Sequence, residues 1–341
     1  MKKIPYILTG ICSFLLMTSC LDDYQELNTN PEQLGNVDPR NAFTGATLNF
    51  NNCSRGHLTG LYDCSMIYMQ YLMNNNGASQ NIYITLSQQN SRPAPSNYAY
   101  NEYYNVITDG AGAFGLRLDN LLNTLIPLQD HPEQYNDIAA ISRVLMAYEQ
   151  WRILDAFGAA PLTEAFKVDA GIRTPRYDLY QQSVDGTPMY EVLDKQVVDA
   201  VAQLGASDDS QVNLGSNDFF YKGDVAKWIK FGNTLRVKMA QRLERADKAF
   251  YNKVINEVLT SADKVIGSQE ESFIYWHHRD YNSNVDDIQN ITKSYSASAA
   301  FVNFLNAYND PRLPLLVRRN GFGDRNNNTQ NDTTFTNRFH K

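Results

Sequence analysis

The stretch NDFFYKGDVAKWIKFGNTLRVKMAQRL, Asn217 to Leu243, reads as a turn feeding one long helix. Gly223-Asp224 joins the residue most tolerant of left-handed backbone to a carboxylate that can accept from the first helical N–H groups, a turn plus N-cap. Beyond it Val225, Trp228, Leu235, Met239 and Leu243 recur at helical spacing, so one face is apolar. Trp228 stands one turn in and is expected in the core. Arg236 and Arg242 interrupt the same helix and are expected to pair with buried acids or carbonyls in a scaffold role.

The same periodicity extends outward in both directions. Met189, Val192, Leu193, Val197, Ala200, Val201 and Leu204 form an uninterrupted stripe upstream, and Val254, Ile255, Val258 and Leu259 a short partner downstream. Further faces are predicted at Leu61, Cys64, Tyr68, Tyr71 and Leu72, at Leu118, Leu121, Leu122 and Leu125, and at Ile138, Ile141, Leu145, Tyr148 and Trp151. A last one gathers Phe301, Phe304, Leu305 and Tyr308. The fold class is therefore mostly α, a TPR-like scaffold of helical pairs that bury their apolar faces against their neighbours. The spacing is irregular, because long polar loops are inserted at 74–97 and 279–293. Connections of that length without their own periodicity are usually functional or disordered.

The beginning of the chain is of another kind. Met1-Lys2-Lys3 precedes the apolar run Ile7 to Met17, too short to span a bilayer, and Thr18-Ser19-Cys20 closes it. This junction resembles the lipobox of bacterial lipoproteins, which makes Cys20 the lipidated first residue of the mature chain. Residues 1–19 are then a signal peptide and 20–341 a single binding domain. Acyl chains contribute about 0.8 kcal/mol per buried methylene, enough for a stable anchor without a spanning helix. The alternative is an ordinary secretory signal with a chance cysteine. Asp22-Asp23 resemble the acidic export tag of surface lipoproteins in the Bacteroidetes. Gly321 to Asp332 reads as an interior loop, so a C-terminal part is expected to be missing.

The formal charge is −7, and loss of Lys2 and Lys3 with the leader makes it two units more negative. That argues against nucleic acid, whose phosphates need Lys and Arg to displace counterions. Cys53 and Cys64 are either a disulfide in an oxidising compartment or two buried thiols. With 21 Tyr, 16 Phe and 3 Trp among many amides, the composition suits an exported polar surface and a carbohydrate site, where flat rings stack on sugar faces.

Chemical motifs are weak. Glu270-Glu271 and Asp286-Asp287 are adjacent acids, whereas glycoside hydrolysis needs two carboxyls across a cleft. His277-His278 are neighbours that rarely converge on one ion, and the start of a calcium loop at Asp324 fails at Thr329 and Phe335. No nucleophile elbow, phosphate loop or dinucleotide motif is present. The expectation is a protein that is not an enzyme and has no cofactor and no metal.

Four stretches together resemble the SusD/RagB family of outer-membrane nutrient-binding lipoproteins, in its SusD-like starch-binding branch. They are the lipobox with its acids, DAFGAAPLTEA (Asp155 to Ala165), the quoted Asn217–Leu243 stretch and Asn309-Asp310-Pro311-Arg312-Leu313. The resemblance implies a SusD-like α superhelix at the outer-membrane surface. It also implies capture of a nutrient, an oligosaccharide first and a peptide or other non-sugar cargo second, for delivery to a SusC-like TonB-dependent transporter; a surface enzyme or a structural envelope protein is the alternative from another class. The motifs themselves read as scaffold: Gly158 ends a helix, Pro161 keeps it from resuming, and Asp310-Pro311 is a turn. Ligand contacts are expected from the loops. Trp276 is the foremost candidate, on an extended segment where Phe273 and Tyr275 face one way and Ile274 and Trp276 the other. Burial of Trp276 beneath the helices is the competing reading. Tyr83, Tyr98 and Asn101 from the first loop, and Tyr281 and Asn282 from the second, complete the candidate set.

Overall fold

Asp224 and Asp247 begin their helices by accepting from the backbone N–H three residues on, Lys227 at 3.2 Å and Phe250 at 3.0 Å. The computed structural model describes residues 37–58, 66, 69–74, 103–104, 113–276 and 295–317. The chain divides into two units, Met1–Asp38 and Pro39–Lys341, and every element below belongs to the second. In order these are α1 (Pro39–Leu58), β1 (Leu72–Asn74), α2 (Phe114–Asn120) continued by a π-helical turn at Leu121–Leu125, α3 (Asn136–Phe157), β2 (Ala159–Ala160) and β3 (Asp178–Leu179). Then follow α4 (Met189–Gly205), α5 (Val225–Arg242), α6 (Lys248–Val258), β4 (Tyr295–Ala297), α7 (Ala299–Ala307) and α8 (Leu313–Leu316). The fold is mostly α, as the periodicity predicts. The strands form two antiparallel ribbons, β1 with β4 and β2 with β3.

Side-chain contacts give the helix directions. Arg143 near the start of α3 donates to Gln203 near the end of α4, and Gln196 reaches back to the Arg143 carbonyl, so α3 and α4 are antiparallel. Arg236 on α5 meets Asp194 on α4, while Gly232 lies against Val197 and Val201, so α4 and α5 are antiparallel too. Helix α3 is the centre of the stack. Its buried residues include Ile138, Ala140, Ile141, Val144, Leu145, Ala147, Ile153 and Leu154, nearly all round its circumference, as in a helix enclosed by others. Gly232 sets the approach of α5, since a Cβ there would meet Val201 Cγ2 at 2.6 Å.

Of the two arginines of α5, Arg236 pairs with a buried acid as the sequence predicts, whereas Arg242 pairs with an acid at the surface. Arg236 is buried and spans three helices, with Nε 2.7 Å from Asp194 Oδ1 and Nη2 2.7 Å from Glu257 Oε2 on α6. Breaking such a buried pair from one side costs about 3 to 5 kcal/mol, because a charge is left without its partner. Arg242 makes a two-pronged contact with Asp155, at 3.0 and 2.8 Å, and so ties the end of α5 to the end of α3. There Gly158 takes φ +74° and its N–H caps the Leu154 carbonyl at 2.8 Å. The connection after it is organised by Asp178, whose buried carboxylate accepts from the Leu162, Thr163 and Val184 amides at 2.9, 2.7 and 2.7 Å.

Two expected faces differ. Tyr71 and Leu72 do not continue a helix, because Leu72 opens β1, paired across to Ala297. On α7 the buried residues are Val302 and Leu305, while Phe304 and Tyr308 are 58% and 72% exposed. The cause is local: the Ser298 hydroxyl caps the Phe301 N–H and donates to the Gln70 carbonyl, and Phe301 meets Tyr71 edge-on at 5.0 Å. Together these set the rotation of α7. Cys64 lies outside the described residues.

Trp228 is 0% exposed, and its Nε1 donates to Asp218 Oδ2 at 2.7 Å. Trp228→Ala is expected to cost about 3 to 5 kcal/mol in equilibrium denaturation. Trp228→Phe keeps most of the ring but leaves a buried carboxylate oxygen short of a donor, and is expected to cost about 1 to 3 kcal/mol. A Phe variant as stable as the parent would show that the indole N–H contributes nothing.

Candidate functional site

The candidate site grows from the turn that precedes α5. Asp218 is 1% exposed, and its two carboxylate oxygens take four donors: Phe220 N at 2.8 Å and Tyr221 N at 3.3 Å on one, Gly223 N at 3.0 Å and Trp228 Nε1 at 2.7 Å on the other. Burial holds this carboxyl above its ordinary value, and the four donors counter that only in part. Lys222 and Gly223 both adopt positive φ, +56° and +79°. A side chain at Gly223 would strike Asn213 Oδ1 at 2.2 Å, because that amide clamps the turn by donating to the Gly223 carbonyl at 2.9 Å. Only glycine fits there.

The turn throws Phe220 and Tyr221 against Trp228, ring centroids 5.6 and 5.2 Å apart and nearly perpendicular. Phe273 inserts into this group, stacked on Phe231 at 3.9 Å and on Phe220 at 4.6 Å. Tyr275 follows it inward, edge-on to Phe220 at 5.3 Å and Phe219 at 5.7 Å, where burial pushes its hydroxyl pKa up. The segment is fastened at both ends. The Trp276 N–H donates to the Phe219 carbonyl at 2.8 Å, and the Tyr221 hydroxyl donates to the Glu271 carbonyl at 2.9 Å. Lys230 pairs with the Glu271 carboxylate, whose other oxygen accepts from Gly267 N at 2.8 Å. Those donors, Lys230 foremost, hold the Glu271 carboxyl below its ordinary range. Glu271 is thus an ionised anchor of the segment.

With Phe273 and Tyr275 committed inward, extended backbone must turn Ile274 and Trp276 outward. Trp276 is 59% exposed. The outward alternative for this tryptophan therefore holds and the buried one does not. A large flat ring on a backbone held from below is suited to stacking on a flat, partly apolar ligand face. Tyr83, Tyr98, Asn101, Tyr281 and Asn282 lie outside the described residues, as do Cys20, His277-His278 and Asp286-Asp287. Among the described residues no three of His, Cys, Asp and Glu come together as a metal would require.

Sequence reasoning missed a second exposed aromatic pair. Phe304 and Tyr308 stand one helical turn apart on α7 with centroids 4.8 Å apart. The available signal was Asn303, an exposed amide directly beside Phe304.

A family profile described as starch-binding, SusD-like and associating with the outer membrane matches residues 43–334. The chain belongs to this SusD-like family. Among solved structures, a chitin-binding protein is similar at TM-score 0.60 and 20% identity, covering 82% of this chain and 54% of its own. A SusD/RagB family protein from Bacteroides thetaiotaomicron is similar at TM-score 0.57 and 21% identity, covering 81% and 53%. A SusD homologue from Bacteroides uniformis follows at 0.56 and 18%, covering 79% and 53%. The chain spans about half the length of these structures. No match was found among curated proteins. Against this background the quoted α5 stretch is the SusD-like scaffold: its acids, glycine and arginines are all engaged in holding helices and turns.

The inward and outward residues of the segment should separate cleanly in denaturation. Phe273→Ala is expected to cost about 2 kcal/mol, since the half-buried ring stacks on Phe231 and Phe220, and Trp276→Ala less than about 0.5 kcal/mol. Equal losses for the two would mean that Trp276 belongs to the packing.

Proposed function

We propose that this SusD-like protein is a surface lipoprotein that binds an oligosaccharide and passes it to a SusC-like TonB-dependent transporter in the outer membrane. The observation that carries the reading is Trp276, an exposed indole on a backbone fastened to the aromatic layer beneath it. The starch-binding description of the family and the chitin-binding neighbour support a glycan as the ligand class. In this reading Trp276 stacks on a sugar ring, while Tyr83, Tyr98, Asn101, Tyr281 and Asn282 supply further rings and amides from the two long loops. The protein acts by holding and releasing its ligand as a lid over the transporter, with no catalytic step, cofactor or metal. Attachment is assigned to lipid on Cys20, on the strength of the lipobox-like Thr18-Ser19-Cys20 junction; among the described residues no helix is long and apolar enough to cross a membrane. Residues 1–19 are the signal that directs it there. A peptide is the second ligand class, since an aromatic platform with amides serves peptides as well.

Trp276→Ala is expected to weaken oligosaccharide binding by about 2 kcal/mol, roughly thirtyfold, in calorimetry against a panel of oligosaccharides and peptides. Unchanged sugar affinity would remove Trp276 from the site, and binding of peptides alone would replace the glycan. Independently, Cys20→Ala is expected to abolish incorporation of labelled palmitate and release the protein from the membrane fraction. Labelling of the variant at the parent level would exclude Cys20 as the anchor.

A further inference from the structure

A cleft of about 510 Å³ opens between the end of α2 with its π-helical turn, α3 and α4. Its volume lies in the range of small-molecule sites, about 300 to 1,000 Å³. None of its lining residues belongs to the segment around Trp276. Its lining combines the apolar Leu122, Met146 and Val192 with polar and charged side chains.

Arg143 is the unusual member. Its guanidinium is half-buried and donates to the Gln203 side-chain oxygen at 2.9 Å, but no carboxylate among the described residues lies within ion-pair distance. The acid that acts on it electrostatically, Asp199, is already committed to Lys195, at 2.7 and 2.9 Å. Burial accordingly lowers the Arg143 pKa, although an arginine stays charged at neutral pH. The two arginines of α5 differ from it. Arg236 and Arg242 each grip a carboxylate with two nitrogens. A planar guanidinium with unused donors at the edge of a cleft matches one ligand group best, a carboxylate.

Asp119 supplies the complementary half. It lines the same cleft, accepts from Asn123 at 2.8 Å, and forms no ion pair with Arg143 or Lys195. Its contact with Asn123 is open to solvent, so it can accept from a further donor; burial raises its carboxyl, while Asn123 and the nearby Lys167 lower it. A dicarboxylate would be repelled by it, while a ligand carrying hydroxyls would satisfy it. Amides of Gln196 and Gln203 border the cleft and can share further hydroxyls, and the apolar lining residues suit the C–H face of a pyranose ring.

We propose that this cleft is a second binding site, specific for a sugar acid, in which Arg143 takes the carboxylate and Asp119 accepts from ring hydroxyls. The site is independent of the Trp276 reading.

The test is a titration of the whole isotope-labelled chain, followed by amide NMR shifts, with glucuronate, glucose and glutamate as probes. Glucuronate is expected to shift amides of Arg143, Met146 and residues 192–203 saturably, and glucose to bind on the order of tenfold more weakly or less. Arg143→Gln is expected to weaken glucuronate by about tenfold or more, Arg143→Lys to recover part of it, and Trp276→Ala to leave it unchanged. If Arg143→Gln fails to fold, the discrimination and shift map of the parent chain still decide. Glucose binding as tightly as glucuronate, glutamate binding as tightly as glucuronate, or glucuronate shifts that bypass α3 and α4 would each overturn the proposal.

Discussion

The structure around the candidate site depends on one buried carboxylate. Asp218 gathers four N–H donors from a turn and from the helix that follows it. No neutral side chain of that size offers enough acceptor capacity to satisfy them all. An amide in its place would turn a donor group toward donors, and each polar group so orphaned costs about 1 to 3 kcal/mol. These donors offset part of the desolvation of the charge, and the turn they hold is one that free backbone would avoid, with two successive residues at positive φ.

From this turn the rest of the region follows in sequence. Phe220 and Tyr221 are set against Trp228, Phe273 stacks between Phe220 and Phe231, and the Phe219 carbonyl receives the Trp276 N–H. Strand alternation does the remainder, sending the indole outward. A scaffold residue nowhere near solvent therefore decides how a surface residue is displayed. The same logic holds at the other end of the stack, where Arg242 on one quoted motif grips Asp155 on another. Stretches far apart in sequence become one rigid joint.

What was legible in the sequence was whatever rests on local periodicity and capping. The Asp224 cap, the stripe of α4, the terminus at Gly158 and the scaffold role of Arg236 all follow from spacing and residue chemistry over a few turns. The alternation of Phe273 to Trp276 was legible as well, but its sense was not, because only the stack on Phe220 and Phe231 chooses the inward side. The rotation of α7 was misread for the same kind of reason. Of the expected face Leu305 is buried, but a cap at Ser298 and an edge contact with Tyr71 bring Val302 in beside it and leave Phe304 and Tyr308 outside. Nor did periodicity predict the role of Asp218, since its partners lie at the irregular offsets of a turn. The Arg143 cleft was equally invisible, being assembled from three helices whose residues each look like ordinary solvated surface.

Native-state hydrogen exchange of Asp218→Asn, under conditions where the variant remains folded, tests this dependence most directly. If Asp218 holds the platform, the amides of Phe220, Gly223 and Trp276 lose protection together, while those of Ile141 and Leu145 in the centre of α3 keep theirs. Protection of the Trp276 amide at the parent level in the folded variant would contradict the account, because the display of the indole would then not depend on the buried carboxylate.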